Sequence, residues 1–270
     1  MSGQMMQAIR VYEYGGTEHL KLEQIPRPEP QAGEVLIHLQ AVGVLPAECK
    51  MRQGFFRSYM PVTFPYVPGS AIAGIVEEVG PGVTAFQKGQ DVFGRTTKGA
   101  YCEYTSVSIE TLALKPDALS FAEAATISGG ATVAWTTLFE NAELQAGQRI
   151  LIHGAAGGVG LFAVQFARLK GAHVIGTAST ANVDFVRSLG AETVIDYTIT
   201  PFEQAVHDVD VVLDTIGGDT LQRSMTVVKP GGILVSLLEQ PSQEEAAEYG
   251  IRAIRNSVTQ PFDDHRAVNG

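Results

Sequence analysis

The stretch Gln148–Gly160 reads Q-R-I-L-I-H-G-A-A-G-G-V-G, and its residue types and spacing suit it to holding a phosphate. A glycine turn at the start of a helix exposes backbone N–H groups that point at an anion, the geometry that cradles a pyrophosphate. Gly157 lets the backbone approach the phosphate and is a candidate for a positive φ. Gly160 lets the helix pack close to its strand, where a Cβ would push the two apart. Ala155 stands where the first glycine of G-x-G-x-x-G would be. The candidate cofactor-binding residues on this turn are Gly154, Ala155, Ala156, Gly157, Gly158, Val159 and Gly160. A glycine cluster by itself is more often an ordinary turn than a nucleotide site; its place between a strand and a helix is what points to a nucleotide.

The flanking elements supply that context. Arg149–His153 carries three consecutive aliphatics and reads as a buried strand. Val159–Lys170 reads as an apolar helix stopped by Gly171. Strands follow at His173–Thr177, Thr193–Asp196, Asp210–Asp214, Gly232–Leu237 and, more weakly, Ile251–Val258. Helical patterns fall between them at Ala181–Leu189 and Asp219–Val228. This alternation predicts a doubly wound parallel sheet with ligands at the carboxyl ends of its strands, where Gly154–Gly160 and Asp214–Gly218 lie. The chain before about Pro116 differs. Met6–Tyr14, Val35–Gly43 and Ala73–Val79 are short β-type runs between Gly and Pro clusters, which predicts a compact, partly closed barrel. Ser120 and Glu123 have capping-box spacing at the start of an Ala-rich helix. Gly129–Gly130 interrupts that helix and marks the junction. The expected domains are 1–128 and 129–258, with an irregular tail at 259–270.

Composition bounds the function. The chain has 270 residues, 45% of them hydrophobic and 18% charged, which describes a soluble globular protein. A net charge of −10 argues against a nucleic-acid or anionic-membrane surface, where a basic face is needed. Cys49 and Cys102 are too few for a disulfide framework and read as buried small hydrophobes. No signal peptide and no membrane span are visible, so the expected location is cytoplasmic.

Several motifs occur in series: A-I-R-V-Y-E-Y-G-G (8–16), A-G-E-V-L-I (32–37), V-P-G-S-A-I-A-G-I-V-E-E-V-G-P-G-V (67–83), G-A-Y-C-E-Y (99–104) and G-A-A-G-G-V-G (154–160). L-G-A-E-T-V-I-D-Y (189–197) and V-L-D-T-I-G-G-D-T-L (212–221) come later. This series resembles the medium-chain dehydrogenase/reductase superfamily, in its zinc-independent, quinone-oxidoreductase-like branch. The resemblance implies an α/β protein with an N-terminal β-rich, GroES-like domain and a Rossmann domain that binds NADP.

The zinc members of that superfamily place a Cys where Leu45 stands and a His where Ser70 stands, and neither replacement is a competent ligand. The expected metal set is therefore empty. Without a Lewis acid, an electron-poor acceptor is favoured: a quinone or an α,β-unsaturated carbonyl. The end of the second strand, V-I-G-T-A-S-T (174–180), lacks the acid that takes an NAD ribose 2′-OH, which favours NADPH. Thr177, Ser179, Thr180 and Tyr197 are the candidate partners of its adenosine ribose and 2′-phosphate. Ser179 and Thr180 are also plain cap residues, and Arg187 reads as a solvated charge. A Thr near the nicotinamide in some relatives aligns with Val133, which puts the adjacent Thr132 among the candidates.

On the substrate side, relatives commonly carry Asn at the position of Leu45 and tyrosines at those of Lys50 and Phe56, so the pocket here is expected to be more apolar. Tyr59 is the candidate catalytic residue, donating a proton or hydrogen bond. Relatives also continue past the last Rossmann strand and return to the first domain, whereas this chain ends Q-P-F-D-D-H-R-A-V-N-G. If the returning elements are absent, the β-rich domain exposes apolar surface. The expected function is an NADPH-dependent reductase of a small-molecule quinone or enone, with a homodimer as candidate assembly. The alternative is a catalytically weak NADPH-binding sensor or partner-binding protein.

Overall fold

A computed structural model describes residues 4–58 and 60–256. The chain forms two compact units, Met1–Gly129 and Gly130–Gly270.

The first unit is built on antiparallel strands. A ribbon pairs β1 (Met5–Arg10) with β2 (Lys21–Pro26). A five-stranded sheet contains β3 (Glu34–Val42), β4 (Ala71–Val79), β5 (Asp91–Arg95), β6 (Tyr104–Ser108) and β7 (Leu112–Leu114), in the order β6-β3-β4-β5-β7. Register shifts between β3 and β4 mark bulges, which increase local twist and coil the sheet. The edge strands β6 and β7 do not pair, so strand pairing leaves the expected barrel open. Val35, Ile37, Ile72, Val76, Val92 and Val107 fill its core. A short helix not anticipated from sequence, α1 (Pro46–Arg52), follows β3, and α2 (Phe121–Thr126) packs on the sheet through Ala124 and Ala125. Ser120 caps α2 as its spacing predicts: its Oγ accepts the Glu123 N–H at 3.2 Å, and Glu123 accepts the Ser120 N–H at 2.8 Å.

Gly129–Gly130 does not break the helix, contrary to expectation. Ile127–Ala131 and Thr136–Asn141 are π turns around α3 (Thr132–Trp135). The glycines serve close approach instead. A Cβ on Gly129 would lie 2.9 Å from Leu45 Cδ2, and one on Gly130 would overlap the Gly158 carbonyl oxygen.

The second unit is a six-stranded parallel sheet in the order β10-β9-β8-β11-β12-β13. Its elements run β8 (Arg149–Ile152), α4 (Gly160–Lys170), β9 (His173–Ala178), α5 (Val183–Ser188), β10 (Thr193–Asp196), α6 (Phe202–Ala205), β11 (Val209–Asp214), α7 (Gly218–Ser224), β12 (Val228–Ser236), α8 (Gln243–Glu248) and β13 (Arg252–Arg255). Strand alternation divides the core. Ile150, Ile152 and Leu213 join one cluster with Ala163 and Val164 of α4, whereas Leu151, Val212 and Leu234 join another with Phe202 and Leu221. Both faces are thus covered, which is why these strands read as continuous aliphatic runs. The helix expected over Asp219–Val228 ends at Ser224, because Met225–Val227 tightens to a 3-10 turn and Val228 already pairs with β11. The tail at 259–270 lies outside the described residues.

Candidate functional site

The sheet reverses its winding between β8 and β11, and the Gly154–Gly160 turn sits at the carboxyl end of β8 at this switch. Gly154 adopts a φ of 63°, which a side chain disfavours. Gly157 does not have a positive φ; its N–H closes the turn on the Gly154 carbonyl at 2.8 Å. The N–H groups of Gly158 and Val159 find no acceptor among the described residues. Nothing lies within 4 Å of a Cβ position on Gly158, so that backbone is open to a ligand. At Gly160 a Cβ would overlap the Gly154 oxygen and lie 2.7 Å from Ala155 Cα, which gives this glycine its packing role. No side chain caps α4 and no acid occupies its first turn, so the positive end of its dipole is uncompensated. These features fit a pyrophosphate.

Ala155 replaces the first motif glycine without strain because Gly176 on β9 makes room. Ala155 is fully buried, and its methyl lies 2.9 Å from where a Gly176 Cβ would be. Ala156 is half-buried and Val159 precedes the helix. Gly130 packs against the Gly158 carbonyl, and Thr132 follows two residues later at the start of α3, itself engaged.

Beneath the turn lies a buried polar network that the sequence did not reveal. Thr177 is buried, and its hydroxyl accepts the Gly154 N–H at 3.2 Å, so it supports the turn from inside instead of facing a phosphate. Its Oγ1 lies 3.2 Å from His153 Nδ1, and His153 Nε2 lies 2.9 Å from Ser224 Oγ. Ser224 spends its hydrogen on the Thr220 carbonyl at 2.6 Å. Every group is then satisfied when neutral His153 donates from Nε2 to Ser224 and accepts at Nδ1 from Thr177. Burial pushes the His153 pKa down to about 4, with Asp214 opposing that shift. Asp214, fully buried, accepts from Ile216 N–H, Gly217 N–H and Ser236 Oγ, and so shapes the loop after β11. A histidine ending an aliphatic strand was the one available signal of this network.

At the end of β9, Ser179 accepts from the Asn182 side-chain amide at 3.2 Å, and Thr180 is exposed with its Oγ1 3.0 Å from Thr198 Oγ1. Tyr197 is 57% exposed, and its N–H donates to the Ala178 carbonyl at 3.2 Å. These three candidates therefore stand together on the sheet edge formed by β9 and β10. Arg187 pairs with Asp184 at 3.1 Å on the exposed face of α5.

In the first unit, the positions of the absent metal ligands belong to a network centred on Glu48. Ser70 Oγ donates to Glu48 Oε1 at 2.8 Å, and Tyr101 OH donates to Oε2 at 2.9 Å. The Leu45 N–H also reaches Oε2 at 3.2 Å, and Arg95 Nη2 donates to Ser70 Oγ at 3.3 Å. Desolvation, followed by the Glu48 charge, pushes the Tyr101 pKa up. Among the described residues no three His, Cys, Asp or Glu side chains converge as a metal would require. Beside this network runs an apolar groove of about 440 Å³ lined by Ile9, Leu39, Ala41, Val42, Val44 and Tyr101. Burial pushes the Cys102 thiol up to about 12, and its sulfur lies 3.1 Å from the Tyr104 carbonyl, so it is no activated nucleophile. Tyr59 lies outside the described residues.

Two family models match the chain: an alcohol dehydrogenase GroES-like domain over residues 31–138 and a zinc-binding dehydrogenase over 158–255. The mouse quinone oxidoreductase is 38% identical over 242 residues, covering 86% of this chain and 72% of its own. The chloroplastic NADPH-dependent alkenal/one oxidoreductase of Arabidopsis thaliana is 38% identical over 247 residues, covering 86% of this chain and 62% of its own. The solved structure of a mycobacterial protein complexed with NADPH superposes with a TM-score of 0.85 at 30% identity, covering 93% of this chain and 81% of its own. No helix among the described residues is long and apolar enough to cross a membrane. With the parallel sheet, the glycine turn at its switch point and these relatives in hand, the chain belongs to the quinone oxidoreductase-like branch of the medium-chain dehydrogenase/reductase superfamily.

Proposed function

We propose that this oxidoreductase uses NADPH to reduce a quinone or an α,β-unsaturated carbonyl without a metal. The observation that carries the reading is the uncapped N-terminus of α4 behind an open glycine turn. The open Gly158 and Val159 N–H groups take the pyrophosphate, and Gly157 leaves room for its approach. Ser179, Thr180 and Tyr197 are assigned to the adenosine ribose end, and Thr132 to the nicotinamide end. The cofactor, when bound, supplies the hydride. The relatives named for quinone and alkenal/one reduction support the acceptor class.

The donor set supports metal-free chemistry. Leu45 offers no ligand atom, and the Ser70 hydroxyl is spent on Glu48. The protein's contribution is then to position the acceptor, keep water out and deliver a proton, the last assigned to Tyr59. Following the loss of NADPH absorbance with a panel of quinones and enones tests the reading. Turnover with at least one member is expected. NADPH binding with no turnover on any member would instead establish the cofactor-binding sensor or partner protein. Tyr59→Phe should lower kcat and leave NADPH affinity unchanged.

A further inference from the structure

We propose that Arg52 and Tyr66 form a carboxylate-binding site within the first unit, an assignment that does not depend on the Gly154–Gly160 turn. Arg52 ends α1 and is only 7% exposed, which is unusual for an arginine without a carboxylate partner. Of its five N–H hydrogens, only the one on Nε is placed, on the Gly15 carbonyl at 3.3 Å. Among the described residues no acid lies within ion-pair distance of it. The acid best placed to pair with it is Glu48, one turn earlier at the favourable i, i+4 spacing. Glu48 is engaged elsewhere, accepting from Ser70, Tyr101 and the Leu45 N–H. A buried charge left unpaired is destabilising until an anion joins it.

Tyr66 supplies the second donor. Its hydroxyl is closed off from solvent and finds no hydrogen-bond partner. Burial pushes its pKa up, the Arg52 charge opposes that shift, and Tyr14 and Glu48 add to it, so these groups lie within electrostatic reach of one another. The main chain holds both donors in place. Tyr66 and Val11 exchange N–H bonds at 2.9 and 3.1 Å, and the Gly15 N–H donates to the Arg52 carbonyl at 3.0 Å. The Arg52 Nη groups are not among the closed-off atoms, so the fork is reachable from outside. Three features define the ligand. Both unengaged groups can donate, which calls for an acceptor. The planar guanidinium matches the two oxygens of a carboxylate and leaves a lone pair for Tyr66. Glu48 acts on the same hydroxyl, so a monoanion is favoured over a dianion. The Tyr66 ring lies 5.8 Å from Phe64, which meets Tyr14 edge-on at 4.9 Å, so the surroundings suit an aromatic body.

The test titrates the chain with sodium benzoate at neutral pH and fixed ionic strength, read by calorimetry, with benzamide and sulfate in parallel. Benzamide keeps the ring and loses the charge, whereas sulfate is a dianion without the ring. Saturable benzoate binding is expected, with benzamide and sulfate each weaker by about ten-fold or more. Tyr66→Phe should weaken benzoate binding by about five-fold. Arg52→Lys, which keeps the charge and loses the fork, should weaken it by about ten-fold or more. Circular dichroism establishes that each variant is folded; if Arg52→Lys does not fold, Tyr66→Phe and the ligand series decide. A wild-type chain that shows no saturable benzoate binding overturns the site. Folded variants that bind benzoate like the wild type also overturn it, because the anion then sits elsewhere. Sulfate or benzamide binding as tight as that of benzoate overturns the carboxylate assignment.

Discussion

The glycine turn after β8 and the Glu48 network behind β3 hold their groups by opposite means. The turn is a backbone device. Gly154 takes a conformation that side chains avoid, Gly160 has no space for a Cβ, and Gly158 faces open space. The Glu48 network is a side-chain device, assembled from Ser70, 22 residues away, and Tyr101, 53 residues away. Steric necessity leaves a local trace, because only glycine satisfies it. Hydrogen-bond partnership leaves none, because many residue types at many separations can meet. The same contrast separates what these sites can hold. Fixed N–H groups serve an anion whatever its remaining chemistry, whereas the Glu48 side chains are engaged with one another.

The largest test of this comparison is Gly160→Val. Its Cβ meets backbone that cannot yield, so the variant should lose roughly 3 kcal/mol or more of stability in urea denaturation. Gly157→Val is the counterpart. A Cβ there meets only the Gly154 oxygen, at 3.1 Å, and the φ is ordinary. The variant should fold and yet bind NADPH ten-fold or more weakly, about 1.4 kcal/mol. Unchanged affinity in the folded variant would remove Gly157 from the site.

The support beneath the turn predicts an effect of acid. An unfolded histidine titrates near 6.5, whereas buried His153 is pushed down to about 4. Between those values the unfolded chain takes up a proton that the folded chain refuses. This contribution to stability is therefore complete above 6.5 and declines as the pH falls toward 4, by roughly 3 kcal/mol over the window. Denaturation curves of the wild type and His153→Gln across that range should differ in slope, with the variant flatter.

A smaller effect is expected at the other network. Glu48→Gln replaces an acceptor-only group with one that also donates, so the Ser70 and Tyr101 hydroxyls cannot both keep their bonds; a loss of about 1–2 kcal/mol should appear in melting. The smallest expected effect is none. Chelators should leave turnover unchanged, and elemental analysis should find no stoichiometric zinc; one zinc per chain would refute the metal-free reading.

The fold was legible wherever periodicity was strong. The aliphatic run of Ile150, Leu151 and Ile152 announced a strand buried on both faces, and the Ser120–Glu123 spacing announced a cap that the structure contains. Gly129 and Gly130 were misleading because a glycine that permits close packing looks the same in sequence as one that breaks a helix. Thr177 was read as facing a ligand, yet β9 turns it inward to the Gly154 N–H.

The pairing of β8 with β11 has a kinetic side. It is the one pairing in the six-stranded sheet between strands not consecutive in sequence, setting Ile150 against Val211. Its closure carries the entropy of a long loop, while the other pairings join near neighbours through short crossovers. The glycine turn takes support from both sides of this seam. His153 donates its N–H to the Leu213 carbonyl at 3.0 Å, and Thr215 donates its hydroxyl to the His153 carbonyl at 2.8 Å. Neither half of the sheet alone can shape the turn, so the turn takes its form only when the halves zip together. A nucleotide bound at the proposed site would tie the two halves together across this seam.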